Sequence, residues 1–403
     1  MNGISQGWAR FVGALGVTQI LGYGAVYYAF PVLVPSVAAE FGIPETWLYG
    51  AFSIGLLLSA GVATLAGPWL DRFGAPRVMS IGSILVALLL AMLGLAPNAI
   101  IYMGCVILLE AISFLVLYDA AFAALALGVP TGTRKAITRL TLIAGFASTI
   151  FWPLTGYLNE AIGWRATYLI FAALNLLAAL PLHLWLARIA RQAGGRVEDK
   201  PAPVIAPDWP ILTGPAARQG FWLLAIGFAL IAVVIAALGV HLVPLLLALG
   251  LGSQAYLVSM AMGPTQVAIR VVDATLWRRT HPLTVALVSC MALMAAILAL
   301  ILASDGLGLA LGFAILFGAG QGLTSIVRGA VPLALFGPSG IGRKLGHLAA
   351  MRSVFAAAAP FIFGLGLTRL GMDATLVLTL AITFAGLGLL IWLHRLVQRQ
   401  SAR

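Results

Sequence analysis

A charged side chain inside an apolar stretch is the first place to look for chemistry, and this sequence offers a short set. Glu110 and Asp119 fall in one apolar run, Arg270 and Asp273 in a second, Arg328 in a third and Arg352 in a fourth. A charge at the centre of a bilayer costs roughly 2.5–3.5 kcal/mol on insertion scales, so none of these should face lipid. Asp119 and Arg328 are separated by an offset that recurs elsewhere in the chain. Two readings of that pair stand side by side. One is a structural ion pair. The other is a site in which Arg328 holds an anion while Asp119 competes for it or carries a proton. Glu110 precedes Asp119 by nine residues, which at about 100° per residue puts the two acids on opposite faces of one continuous helix. Only one of them could then point into a central cavity. Burial and a nearby Arg pull a carboxylate's proton affinity in opposite directions, so either acid is a candidate proton carrier.

Polar neighbours extend the set. Gln19, Tyr23 and Tyr27 are spaced by four residues, one stripe of a helix, and their amide and hydroxyls would suit carboxylate oxygens. Gln321, seven residues before Arg328, shares nearly the same face and is a further substrate contact. Arg352 and Arg270 each sit about 10 Å in from a helix end at 1.5 Å rise per residue, within reach of snorkelling. Arg270 also has Asp273 on the next turn, a pairing distance on a helix. Arg352 is a candidate basic group for an anion. His241, three residues before Pro244, either titrates near neutrality or bonds a carbonyl at a helix irregularity. No His-Glu-x-x-His or Gly-x-Ser-x-Gly is present, which argues against an intramembrane enzyme. Cys105 and Cys290 lie in apolar runs with no disulfide or metal spacing, and nothing calls for a cofactor or a metal.

The elements that position these residues follow from composition. The chain is 62% hydrophobic and 9% charged over 403 residues, against about 45–50% and 25% in soluble domains. With ~20 residues per spanning helix, about twelve spans fit. They are expected near 11–38, 47–70, 78–96, 99–125, 137–160, 166–188, 219–247, 255–277, 282–303, 306–335, 345–369 and 373–396. Joints such as Gly42-Ile43-Pro44, Pro97-Asn98 and Ser304-Asp305-Gly306 separate them. With loops assigned to alternate sides, the side holding both termini receives 18 of the 23 Lys and Arg, and the other side two. The positive-inside rule therefore places both termini in the cytoplasm, and the net charge of +11 needs no nucleic acid to explain it. A polar, Pro/Gly-rich linker, 189–218, divides the chain into six-helix halves, 1–188 and 219–403.

The halves are similar. At an offset of about 209, Arg134-Lys135 meets Arg343-Lys344, Phe146-Ala147 meets Phe355-Ala356, and Asp119 meets Arg328; with small gaps, Asp71 meets Asp273 and Gly163 meets Gly371. Both halves begin on the same side, so the repeat is parallel, related by an axis along the membrane normal.

On Gly67-Pro-Trp-Leu-Asp71-Arg72-Phe-Gly74-Ala-Pro-Arg77, between spans two and three, the sequence resembles the major facilitator superfamily over essentially its whole length. The resemblance implies an all-α fold of twelve helices in two pseudo-symmetric halves, with spans one, four, seven and ten lining the pathway. It also implies a cytoplasmic latch built on Asp71, Arg72 and Arg77, with Asp273 as the remnant of a second copy. Arg139-Leu-Thr-Leu-Ile-Ala-Gly145-Phe-Ala, with Gly163-Trp164-Arg165-Ala-Thr-Tyr-Leu-Ile, is most similar to the monocarboxylate porters and oxalate–formate exchangers. The stretch from Gly145 through Trp152-Pro153 to Gly156 echoes a fifth-span motif of drug antiporters.

The expectation is a secondary transporter of a small organic anion, proton-coupled or exchanging, working by rocking of the halves around a midplane site. Arg328 would neutralise the anion, Asp119 (or Glu110) would couple protons, and Tyr23, Tyr27, Gln19, Gln321 and Arg352 would touch substrate. The alternative is a proton-driven efflux antiporter for drugs or other amphiphiles. Either would be a monomer in a bacterial cytoplasmic membrane, with substrate, protons and lipid as its partners.

Overall fold

The structure, a computed structural model, describes residues 2–128, 133–192, 209, 211–251, 254–277, 279–303 and 306–401. Most of the expected linker, with Arg196 and Lys200, lies outside the described residues, as do Ser304, Asp305, Arg278 and Arg403. Among the described residues the chain is helical and its helices group into twelve spans. Span one is Asn2–Gly22, Tyr23–Tyr28 and Ala29–Phe41; span two Glu45–Phe73; span three Ala75–Gly94. Span four is Ala99–Ile112, Ser113–Leu115 and Tyr118–Gly128. Spans five and six run through Thr133–Ala144, Ala147–Leu174, Asn175–Ala179 and Leu180–Gln192, and part company at Gly163. Span seven is Gly214–Ala248, span eight Gln254–Met260 with Met262–Thr275, and span nine Pro282–Ile301. Spans ten to twelve are Leu307–Phe336, Ile341–Arg369 and Met372–Ser401.

The joints have local causes. Gly163 has φ +80°, a conformation open to glycine at no steric cost, and there the helix reverses. Asn98 starts span four by accepting from Ile101 N at 3.0 Å, the usual service of an Asn N-cap.

Packing divides the chain into two compact units. The first is Met1–Ile205 with Pro338–Ala350; the second is Ala206–Gly337 with Met351–Arg403. The opening turns of span eleven thus pack with the first half of the sequence. In both units glycines let helices close up, the usual device where lipid supplies no hydrophobic drive. A Cβ on Gly55 of span two would lie 2.7 Å from the Glu110 Cβ in span four, and one on Gly318 of span ten 2.7 Å from the Met262 carbonyl oxygen in span eight.

Regularity differs between the units. The first carries a π-helix at Tyr23–Tyr28, a tight 3₁₀ turn at Ser113–Leu115, a break at Gly145 and Phe146, and a second π-helix at Asn175–Ala179. Such π segments in α-helices recur at functional sites. In the second unit the described irregularity within a span is a break at Ala261.

Candidate substrate and proton site

Span four is not the continuous helix the sequence suggested. After Ile112 the backbone tightens through Ser113–Leu115, and Val116 leaves helical geometry at φ −122° and ψ −18°. A rotation of 100° per residue therefore does not carry across it. The expected opposition of Glu110 and Asp119 loses its premise, and both side chains are buried, at 2% and 7% exposure.

Gln19 explains how the irregular stretch is tolerated. Its Nε2 donates to the Val116 carbonyl oxygen at 2.8 Å, and the side chain is fully buried. Leaving this buried carbonyl without a donor would cost about 1–3 kcal/mol. Gln19 was expected to touch substrate; in the structure its Nε2 bonds the backbone of span four.

The tyrosine stripe changes too, because Tyr23–Tyr28 is a π-helix and not an α-helix. Tyr23 packs on Tyr118 with ring centroids 4.6 Å apart, and Tyr118 stacks on Phe122 at 5.2 Å with an interplanar angle of 5°. Tyr28 lies 6.4 Å from Tyr23 and 5.5 Å from Tyr27, and Tyr27 lies 5.8 Å from Phe52 of span two. Tyr27 is 44% exposed. The result is an aromatic wall drawn from spans one, two and four, with Asp119 next to Tyr118 in the chain. Sequence reasoning found Tyr23 and Tyr27 but missed Tyr118, Phe52 and Phe122. The adjacent Tyr118-Asp119 pair was the available signal.

Glu110 lies under Gly55 and within electrostatic reach of Tyr27 and Tyr168. The Tyr168 and Tyr102 hydroxyls, both buried, are 2.9 Å apart. Another buried polar pair had gone unnoticed: His183 Nδ1 in span six, 2.7 Å from Ser83 Oγ in span three. Among the described residues of this unit the buried acids are Glu110 and Asp119, and no Lys or Arg is buried.

The ends of this unit are held by polar clamps. Asp71 accepts from the backbone N–H groups of Gly342 at 2.7 Å and Arg343 at 2.8 Å, so its carboxylate sits at the N-terminus of span eleven. A helix N-terminus favours an anion by dipole and by open donors. Gly67, two turns or less away, lies so close that a Cβ would come within 2.7 Å of the Gly342 carbonyl oxygen. Arg72 and Arg77 are exposed, and Arg72 lies over the Phe73 ring at 5.3 Å. At the opposite end, Glu40 accepts from Trp164 Nε1 at 2.6 Å and from Arg165 Nη2 at 2.8 Å, while Arg165 Nη1 donates to the Ala96 carbonyl oxygen at 2.7 Å. The Gly-Trp-Arg segment thus ties spans one, three and six together.

The second unit presents a different inventory. Arg270 and Asp273, one turn apart in Met262–Thr275, are buried at 5% and 1%; at 5% exposure Arg270 does not snorkel to water. Gln321 Oε1 accepts from Gln266 Nε2 at 2.5 Å, so this expected substrate contact is engaged with a neighbouring span. Arg328 and Arg352 are half-buried in spans ten and eleven. His241 Nδ1 lies 3.0 Å from the Ala237 carbonyl oxygen, and its ring is 5.0 Å from that of Phe363, the carbonyl-bonding alternative of the two sequence readings.

Twelve apolar spans in two repeat-related halves, with acids and aromatics buried among them, define a polytopic membrane carrier. The family profile described as Major Facilitator Superfamily matches residues 15–327, and the chain belongs to that family of transporters. It is 28% identical over 164 residues to the "Multidrug transporter MdfA" of Edwardsiella ictaluri, 40% of each chain. It is 28% identical over 160 residues to the "Chloramphenicol resistance protein CraA" of Acinetobacter baumannii, 38% of each chain. The match thus spans about two fifths of the length of these curated relatives. The crystal structure of the human organic anion transporter MFSD10 (TETRAN) superposes with a TM-score of 0.70 at 18% identity, covering 95% of this chain and 99% of that one, a likeness of fold. These two relatives are named for multidrug transport and for chloramphenicol resistance, and neither name is that of a monocarboxylate porter.

Proposed function

We propose that this protein is a proton-driven exporter of aromatic, amphiphilic compounds, cationic or neutral. The observation that carries the reading is the pair of buried acids, Glu110 and Asp119, in a unit with no buried Lys or Arg among its described residues, beside the wall of Tyr23, Tyr27, Tyr28, Phe52, Tyr118 and Phe122. Aromatic faces attract cations and flat apolar groups. A carboxylate beside them can hold either a proton or a cationic substrate, which is the competition an antiporter needs. One named relative is a multidrug transporter and the other a chloramphenicol resistance protein, in keeping with this reading.

In this scheme Asp119 exchanges protons for substrate at the aromatic wall, and Glu110 is a second protonatable group. Asp71 holds the start of span eleven as a latch, with Arg72 and Arg77 setting the positive charge around it. The test is substrate-driven proton release from proteoliposomes of the purified protein, with ethidium and chloramphenicol as probes. Proton release with the wild type, absent in Asp119→Asn and weakened in Glu110→Gln, is the expected result. Transport of both probes without any proton movement would overturn the coupling.

A second reading keeps a small organic anion as substrate. It rests on Arg328, half-buried in span ten, with Arg352 as a further basic group. Its signature would be carboxylate uptake that is lost in Arg328→Ala.

A further inference from the structure

We infer that the Arg-rich end of the second unit holds an anionic phospholipid between spans seven and twelve. The groove follows from local sequence. Gly220 and Gly227 of span seven receive Leu393 and Leu390 of span twelve; a Cβ at either glycine would stand 3.3 Å from the leucine. This close approach leaves Trp222 and Trp392, 51% and 54% exposed, standing out from the seam. Between them opens a groove of about 640 Å³ lined by Gly214, Pro215, Arg218, Trp222, Ile226 and Trp392 among others. A Gln400–Thr213 hydrogen bond of 3.0 Å and the Leu212 N–H donating to the Leu335 carbonyl oxygen at 2.8 Å pin its outer end.

The chemistry of the groove is graded. Arg218 lines its outer end, and no acidic residue lines the groove; Arg395 and Arg399 are exposed on the last turns of span twelve. Trp222 and Trp392 lie eight and nine residues in from the ends of their helices, about 12 Å at 1.5 Å per residue. That common depth suits indole rings at the headgroup level. Further in, Leu223 and Ile226 offer a purely apolar path. A cationic mouth, an aromatic belt and an apolar track in that order match a phosphodiester, a glycerol backbone and an acyl chain. A soluble anion would leave the two indoles and Ile226 uncovered. Charge complementarity therefore selects an anionic lipid over a zwitterionic one.

Native mass spectrometry of the full chain in neutral detergent, titrated with phosphatidylglycerol or phosphatidylcholine, tests this. The wild type should retain phosphatidylglycerol preferentially. Arg218→Gln should cut that preference about fivefold, the factor expected for one basic residue at an anionic surface, and Trp222→Ala with Trp392→Ala should weaken retention of both lipids. Arg188→Gln, exposed on span six, should change nothing. Equal retention of the two lipids by the wild type, or the same loss in Arg188→Gln as in Arg218→Gln, would overturn the site. Displacement of the bound lipid by glycerol phosphate alone would also overturn it, because the apolar track would then contribute nothing. These readings are independent of what the protein transports.

Discussion

Span four and span ten correspond in the internal repeat, yet they are built differently and bury different charges. Span four is broken over Ser113–Leu115 and carries Glu110 and Asp119; span ten runs unbroken from Leu307 to Phe336 and carries Arg328. The same contrast holds for span one, where Tyr23–Tyr28 is a π-helix, while its counterpart at 232–237 lies inside the uninterrupted Gly214–Ala248. The first unit buries two acids and no described Lys or Arg; the second buries Arg270 and Asp273 one turn apart. A duplicated architecture has thus been made chemically unequal. Irregular backbone is tolerated at membrane depth only where other groups re-satisfy it, as Gln19 does at Val116.

Four substitutions would break or sharpen that contrast. Asp273→Asn should act on folding, because removing one member of a buried, oppositely charged set costs about 3–5 kcal/mol; a large fall in melting temperature in detergent is expected, in contrast to Asp119→Asn, which should spare folding far more than transport. Gln19→Leu should cost about 1–3 kcal/mol, the penalty of leaving the Val116 carbonyl without its donor. Melting curves would show it, and ligand affinity measured on the surviving folded fraction should be little changed. Asp71→Ala should cost about 0.5–2 kcal/mol, as lost N-caps do, with faster hydrogen exchange confined to the first turns of span eleven. Tyr118→Leu should be smallest, weakening binding of an aromatic cation by about 0.5–1.5 kcal/mol in equilibrium dye binding.

Much of the fold was legible because its cause is local. Apolar runs long enough to span, with Gly42 and Asn98 at two of their joints, set the twelve spans, and the shared offset pointed to two halves. The close packing at Gly318, Gly320 and Gly322 was readable from small residues alone. The site was less so. The break at 113–117 is spelled Ser-Phe-Leu-Val-Leu, with no Pro or Gly to announce it. The amide that stabilises it, Gln19, is 97 positions away. Four-residue spacing assigned the tyrosines of span one to one stripe, but a π-helix turns differently and brought Tyr28 beside Tyr23. Phe52 and Phe122 looked like ordinary lipid or core residues until three spans gathered them. His183 and Ser83 were invisible as a pair for the same reason, being 100 positions apart.

The central claim is that recognition rests on the acids and aromatics of the first unit. Its most direct test is thermal stabilisation of the purified protein by lipophilic aromatic cations and, separately, by small mono- and dicarboxylates, since a ligand of the native state raises apparent stability by mass action. The account predicts stabilisation by the cations that survives Arg328→Ala and disappears in Asp119→Asn. Stabilisation by a carboxylate that disappears in Arg328→Ala and survives Asp119→Asn, with no response to any cation, would contradict it.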